Sequence, residues 1–330
     1  MEKQELDAIR FCKDILSKVS RSFALTIPML DDSIYKPIMI TYLQDRLLDN
    51  FEDEVKNISI KKRKYLMNQV VKIFDPDNSK YKKSLQKIMN KSYLLNDKKL
   101  KELTENADLL KQAYDSLDDK IKKISFKWLQ EMNQGMQKYL TGEVNTFKDL
   151  DEYCYYVAGT VGGFLTESII CKENLKSPQS DILMENFKDA GLFLQKVNLI
   201  RDIKKDIENR EKNYWPLKSF NISEKELLDP ARKDKAMDSL DKMILNVKNH
   251  IKGLLNYYKA LPDSLPGYKK FYCVNNALGL ATIDKIENNT DIFYGKKKVK
   301  VSKIQFLRII GTPQKMFVSK CNEHLAALNT

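Results

Sequence analysis

Apolar residues recur every three or four positions along almost the whole chain, a period that predicts helices rather than alternating strands. The pattern predicts helices over residues 3–18, 33–54, 60–73, 79–95, 98–116, 121–140, 148–173, 180–207, 234–260, 266–288 and 312–327. Turn chemistry fills the breaks: DPDNS at 75–79, TGEVNT at 141–146, KSPQS at 176–180, NYWPL at 213–217 and LPDSLPG at 261–267. None of these breaks is long or low in complexity, and no internal repeat is visible. The expectation is therefore one all-α domain spanning 1–330. The first twenty residues alternate charge with apolar positions at helical spacing, which describes an amphipathic helix and not a signal peptide. No stretch approaches the roughly 18 apolar residues that cross a bilayer. A cytoplasmic protein is expected, with membrane contact peripheral if present.

Composition narrows the chemistry. The 330 residues are 42% hydrophobic, enough for a sizeable core, and 31% charged, which suits a wet surface. Only 11 glycines and 9 prolines are present, so tight hairpin turns must be few, in keeping with long helices. A formal net charge of +12 points to an anionic partner: nucleic acid, acidic lipid or a phosphorylated small molecule. The lysines are scattered, however, as in KKRK at 61–64 and KKK at 296–298, and such a spread describes a solvated surface. No nucleic-acid module is recognisable, and no nucleic-acid partner is expected. Five cysteines (Cys12, Cys154, Cys171, Cys273, Cys321) lack metal-ligand spacing and read as reduced, mostly buried thiols. The two histidines, His250 and His324, sit among polar neighbours near helix ends, which makes a Ser/His/Asp triad an unsuitable reading.

Against that cationic background, carboxylates gather in two places. In ITYLQDRLLDNFEDE, residues Tyr42, Arg46, Asp49 and Asp53 are spaced by four, three and four, so a helix puts them on one face, with Glu52 beside them. In GLFLQKVNLIRDIKKD, residues Gln195, Asn198, Asp202 and Asp206 make a similar stripe along an otherwise apolar helix. Like charges massed within a turn repel, and buried acceptors without partners cost about 1–3 kcal/mol each. A hard cation such as Mg²⁺ would reverse both costs, since it takes carboxylates together with substrate phosphates. Two such helices facing each other would make a diphosphate–Mg²⁺ site, while each stripe alone also reads as a solvated acidic face. Between them, YCYYVAGTVGGFLTE carries Ala158, Gly159, Gly162 and Gly163. These small residues provide either close helix packing or a smooth wall for a long apolar ligand.

Together, SRSF at 20–23, YLQDRLLDNFEDE at 42–54, YCYYVAGTVG at 153–162, and GLFLQKVNLIRD at 191–202 followed by NYWP at 213–216 resemble the squalene/phytoene synthase family, in order, from about residue 15 to about residue 300. GLFLQKVNLIRD, NYWP and YCVNNALGLATIDKIENNTDIFYGKKKVKV at 272–301 look most like squalene synthases, and YCYYVAGTVG and DIENRE look closer to dehydrosqualene synthases. The resemblance implies an isoprenoid-synthase-type helical bundle with a central apolar cavity. It also implies Mg²⁺-dependent head-to-head condensation of two farnesyl diphosphates to presqualene diphosphate, then NADPH reduction to squalene. Asp49, Asp53, Asn198, Asp202 and Asp206 would hold the metal, and Tyr153 would assist proton removal or steer the cation. Ser20, Arg21, Ser22, Phe23, Tyr42, Arg46, Val157, Gly159, Gln195 and Arg201 would bind substrate, and Lys300 and Lys303 the cofactor.

Two departures from the family pattern stand out. The second motif reads DIKKD, with Lys205 where the family commonly has glutamate. Lys204 and Lys205 would face diphosphate or solvent, solvent being expected for at least one. Val274, Asn275 and Asn276 follow Cys273 where squalene synthases usually carry Pro-Gln. Non-reducing synthases, giving dehydrosqualene, presqualene diphosphate or phytoene, and a non-catalytic isoprenoid-binding helical protein therefore stay open beside the squalene synthase reading. A monomer is expected.

Overall fold

The structure, a computed structural model, describes residues 2–20, 23–55, 58–210 and 213–328, and among them no strand occurs. Contacts gather into two compact units, residues 1–141 with 164–175, and residues 142–163 with 176–330.

The first unit contains α1 (Glu2–Val19), α2 (Phe23–Thr26), α3 (Asp32–Asp49), α4 (Ile60–Phe74), α5 (Tyr81–Met89), α6 (Lys98–Glu105), α7 (Ala107–Asp115) and α8 (Asp119–Tyr139). Its centre is α3, which buries Ile34, Ile38, Met39, Ile40, Leu43, Leu47 and Leu48 against α1, α7 and α8. Two polar anchors fix α3 within that apolar packing. Ser125 on α8 donates to Gln44 Oε1 at 2.6 Å, and Asn50 Nδ2 reaches Thr104 Oγ1 on α6 at 3.3 Å. Start signals are local. Ser59 accepts from Lys62 N–H to cap α4, and Asp97 accepts from Lys99 and Leu100 N–H to cap α6.

The chain continues through α9 (Phe147–Cys154) and α10 (Thr160–Glu173), and α10 runs from the second unit into the first. A capping box between Thr146 and Asp149 opens α9. Asn174, at φ 50°, closes α10 in the left-handed conformation, and Leu175 N–H returns to Ile170 O.

The second unit is built around α11 (Gln179–Lys205). Around it lie α12 (Leu217–Phe220), α13 (Glu224–Leu227), α14 (Lys233–Lys248), α15 (Ile251–Ala260), α16 (Pro266–Ile286), α17 (Asp291–Tyr294), α18 (Lys303–Gly311) and α19 (Pro313–Leu328). α11 packs on α14, α15, α16 and α17. Two glycines let backbone approach backbone beside it. A Cβ on Gly191 would lie 2.4 Å from Ala158 O, and one on Gly162 would lie 2.5 Å from Phe187 O. Backbone thus touches backbone there, and of the two readings of the small-residue stretch, close packing is what Gly162 and Gly191 serve.

Several predicted helices divide. The segment 98–116 breaks at Asn106, 234–260 breaks between α14 and α15, and 79–95 ends in a 3₁₀ turn at Ser92–Leu94. Helix α18 was absent from the sequence pattern, although Ser302 caps it by accepting from Gln305 N–H. All five cysteines are free, and four of them are buried, as expected.

Candidate active site

In the first unit, α3 ends at Asp49 and passes into a π-helical turn, Asn50–Glu54. The predicted single helix over 33–54 is therefore corrected. Widening the last turn brings carboxylate oxygens of Asp49, Glu52 and Asp53 within 4.8 Å of one another, although Asp53 lies beyond the helix that was to carry it. Glu52 is buried, and its backbone carbonyl accepts from Arg63 Nη1 at 3.0 Å, which pins the turn to α4. Three hard oxygen donors so close, one of them out of water, fit a divalent cation such as Mg²⁺.

Arg46 stands over this cluster, paired with Asp49 and, at 3.6 Å, with Glu54. Burial alone would lower its pKa, but Asp49, Tyr42, Glu54 and Asp53 raise it on balance. Its Nε is buried and makes no hydrogen bond, a donor suited to an anionic ligand. Asp45, one turn back, has its carboxyl pushed well above the usual range by burial and then by Asp49. Tyr42 is likewise pushed up by burial, against the opposing effects of the Ser20 hydroxyl and Arg46. Its ring lies 5.3 Å from that of Phe23, whose N–H donates to Ser20 Oγ at 3.1 Å. Ser20, Phe23, Tyr42, Arg46 and Asp49 thus form one connected group. Arg21 and Ser22 lie outside the described residues.

In the second unit, the polar stripe of α11 is wetter than its sequence suggests. Asn198 is exposed and Gln195 half-buried, so the expectation of a buried acceptor line holds only at Asp206, which is 9% exposed. Asp202 takes the Arg201 Nη2–H at 2.8 Å and pairs with Lys298 Nζ at 2.5 Å. Burial works to raise its pKa, but Arg201 and Lys298 hold it below the ordinary carboxylate value. Lys204 donates to Gly295 O at 3.1 Å, and Lys205 is exposed, as expected for at least one of the two. After Lys205 the helix widens into a second π-helical turn, Asp206–Arg210.

Tyr153, one residue before the end of α9, is buried, with its ring stacked on Tyr214 at 3.9 Å and 11°. The NYWP stretch makes that stack. Asn213 Oδ1 accepts from Trp215 N–H at 2.8 Å, and the buried Trp215 donates its indole N–H to Leu199 O of α11 at 3.2 Å. A third π-helical turn, Tyr155–Gly159, follows Tyr153 and includes Val157 and Gly159. A Cβ on Gly159 would sit 2.8 Å from Tyr155 Cδ2 and 3.3 Å from Leu192 Cδ1, so its absence makes room for both side chains.

The sequence model of the squalene/phytoene synthase family matches residues 16–305, a span that carries all of these motifs. The chain belongs to the squalene/phytoene synthase family. Among related proteins, a squalene synthase (LSS) of Botryococcus braunii is 30% identical over 311 residues, which are 93% of this chain and 63% of that protein. The Bos taurus squalene synthase is 28% identical over 305 residues, 91% of this chain and 69% of its own length. The chain therefore spans about two thirds of the length of these relatives. In three dimensions it is similar to TcSQS in complex with the ligand BPH1237, with a TM-score of 0.80 and 28% identity, covering 96% of this chain and 90% of that one. A dehydrosqualene synthase shares the fold, with a TM-score of 0.63 and 16% identity over 96% of this chain and 99% of that one.

Within the family frame, the sequence reading missed two cations. Lys298 looked like solvated surface in its KKK run, but it is only half exposed and reaches Asp202. Lys196, fully buried on α11, contacts Asp151 Oδ1 at 2.5 Å, Asn246 Oδ1 at 2.6 Å and His250 Nε2 at 2.7 Å. His250 in turn meets Asp189 at 2.7 Å, so this histidine is tied into a structural polar knot. A lysine flanked by Gln195 and Val197 in an apolar helix was the available signal for Lys196. Lys300 and Lys303 are both exposed.

Proposed function

We propose that this chain is a head-to-head prenyl synthase that condenses two farnesyl diphosphates through presqualene diphosphate and, with NADPH, forms squalene. Residues 1–330 act in it as one catalytic domain and as a monomer. The observation that carries this reading is the oxygen cluster of Asp49, Glu52 and Asp53 beneath Arg46, in a chain of this family. Asp49 and Asp53 with Glu52, and separately Asn198, Asp202 and Asp206, would hold Mg²⁺. The bound metal supplies Lewis-acid neutralisation of diphosphate charge.

The chain's own groups do the rest. Arg46 in the first unit and Arg201 in the second each add donors for diphosphate, and Lys298 beside Asp202 is a further cation of that kind. Ser20, Phe23 and Tyr42 form the side of the Arg46 group that holds the substrate's first carbons, and Arg21 and Ser22 are assigned to substrate binding from the sequence alone. The Tyr153 hydroxyl takes or holds the proton lost from the reacting chain, its ring fixed by Tyr214. Val157, Gly159 and Gln195 border the prenyl chain, where water must be kept from carbocations.

The reductive half rests on Lys300 and Lys303, exposed cations suited to NADPH phosphates. One observation favours the non-reducing alternative. Asn275 and Asn276, in place of the usual Pro-Gln, are buried, and each donates one amide hydrogen within α16, to Phe271 O and Tyr272 O at 2.9 Å. Incubation with farnesyl diphosphate and Mg²⁺, with and without NADPH, followed by mass spectrometry of extracted products, separates the readings. Squalene formed only with NADPH is expected. The same C30 product in both incubations would place the chain among non-reducing synthases, and intact substrate in both would overturn the enzymatic reading.

A further inference from the structure

From Ile292 to Asn322 the chain has eight cationic residues and no acidic one. Two of the eight are ion-paired, Lys298 with Asp202 and Lys320 with Asp284. The other six are exposed, among them Lys296, Lys297, Lys303 and Arg308. In the middle of this segment lies α18, whose Ile309 alone is fully buried. Its opposite face presents Ile304 at 68% and Leu307 at 65% exposure, among the most exposed large apolar side chains described. Ile304 and Leu307 are three apart and so share one side of the helix, flanked by Lys303 and Arg308.

Two large aliphatic side chains held in water at the centre of a wholly cationic segment have one matching surface. Interfacial helices insert apolar side chains between headgroups while neighbouring cations sit at the phosphates. A nucleotide would use the cations and leave Ile304 and Leu307 without a role, and an acidic protein patch would do the same. We infer that α18 docks on an anionic lipid surface, with Ile304 and Leu307 inserted and Lys296, Lys297 and Arg308 facing lipid phosphates. No described helix is long and apolar enough to cross a membrane, so the contact is made from the surface. This inference is independent of the reaction proposed above, since it needs neither substrate nor metal.

The test is co-sedimentation of the full chain with phosphatidylcholine vesicles, with and without phosphatidylglycerol. Binding is expected to be much stronger when phosphatidylglycerol is present, and to weaken steeply with added salt. The double variant Ile304→Ser with Leu307→Ser should lose about tenfold or more in affinity for the anionic vesicles. The double variant Lys296→Ser with Lys297→Ser should lose several-fold, about what two cations contribute near such a surface. All four side chains are exposed, so unchanged circular dichroism and thermal midpoint serve as the folding control. Equal binding of wild type to both vesicle types, or undiminished binding by the Ile304/Leu307 variant, would overturn the inference. So would concentration-dependent self-association in sedimentation equilibrium that the Ile304/Leu307 variant abolishes, because the face would then belong to a second copy of the chain.

Discussion

Tyr153 lies flat against Tyr214, so replacing it with phenylalanine removes a hydroxyl and leaves the stack in place. Tyr153→Phe should therefore keep the thermal midpoint while lowering product formation by about 10²-fold, the usual scale for a lost proton-transfer group. An unchanged rate would remove Tyr153 from the chemistry. Asp284 offers a test of a different kind. Burial works to raise its pKa, but hydrogen bonds from His324, at 3.0 Å, and from Lys320 hold it below the ordinary value. A depressed carboxylate contributes stability above its unfolded pKa and loses it as pH falls through the folded one. Asp284→Asn should cost about 1–3 kcal/mol in urea unfolding at neutral pH, and the gap should narrow as pH drops below about 4. A gap independent of pH would contradict the assignment. At this scale, Asp49 and Asp202 were legible because their partners are neighbours on one helix. Lys298 was not, because its link to Asp202 depends on how α17 and the segment after it return to α11.

Among the described residues, the π-helical turns fall on three motifs: Asn50–Glu54, Tyr155–Gly159 and Asp206–Arg210. A π-turn inserts one residue into the helical register and often marks a functional position. Hydrophobic periodicity near 3.6 cannot show it, which is why 33–54 and 148–173 read as unbroken helices. The same blindness hid α18, whose exposed apolar residues do not follow a core-facing stripe. Glycine roles, by contrast, needed coordinates. Gly191→Ala would press a methyl onto the Ala158 carbonyl and should cost about 3 kcal/mol, since backbone has little freedom to yield. Gly311→Ala meets nothing within 4 Å at the end of α18 and should be neutral or stabilising by up to about 1 kcal/mol. Equal stabilities for the two variants would contradict the packing described for α11.

At the scale of the molecule, periodicity and composition gave the right class: among the described residues all regular structure is helical, four of the five free thiols are buried, and no helix is long and apolar enough to cross a membrane. Net charge of +12 was less informative as a sum than as a distribution, because a carboxylate-free segment at 292–322 accounts for much of it. Under the function proposed above, the acidic motifs of α3 and of α11 both act on prenyl diphosphates. The most direct test is diphosphate release from farnesyl diphosphate with Mg²⁺, measured for wild type, Asp49→Asn and Asp202→Asn. Each single variant should fold and lose about 10²-fold or more in rate, because each removes a charge from the diphosphate-holding machinery. Wild-type release by either folded variant would contradict that function.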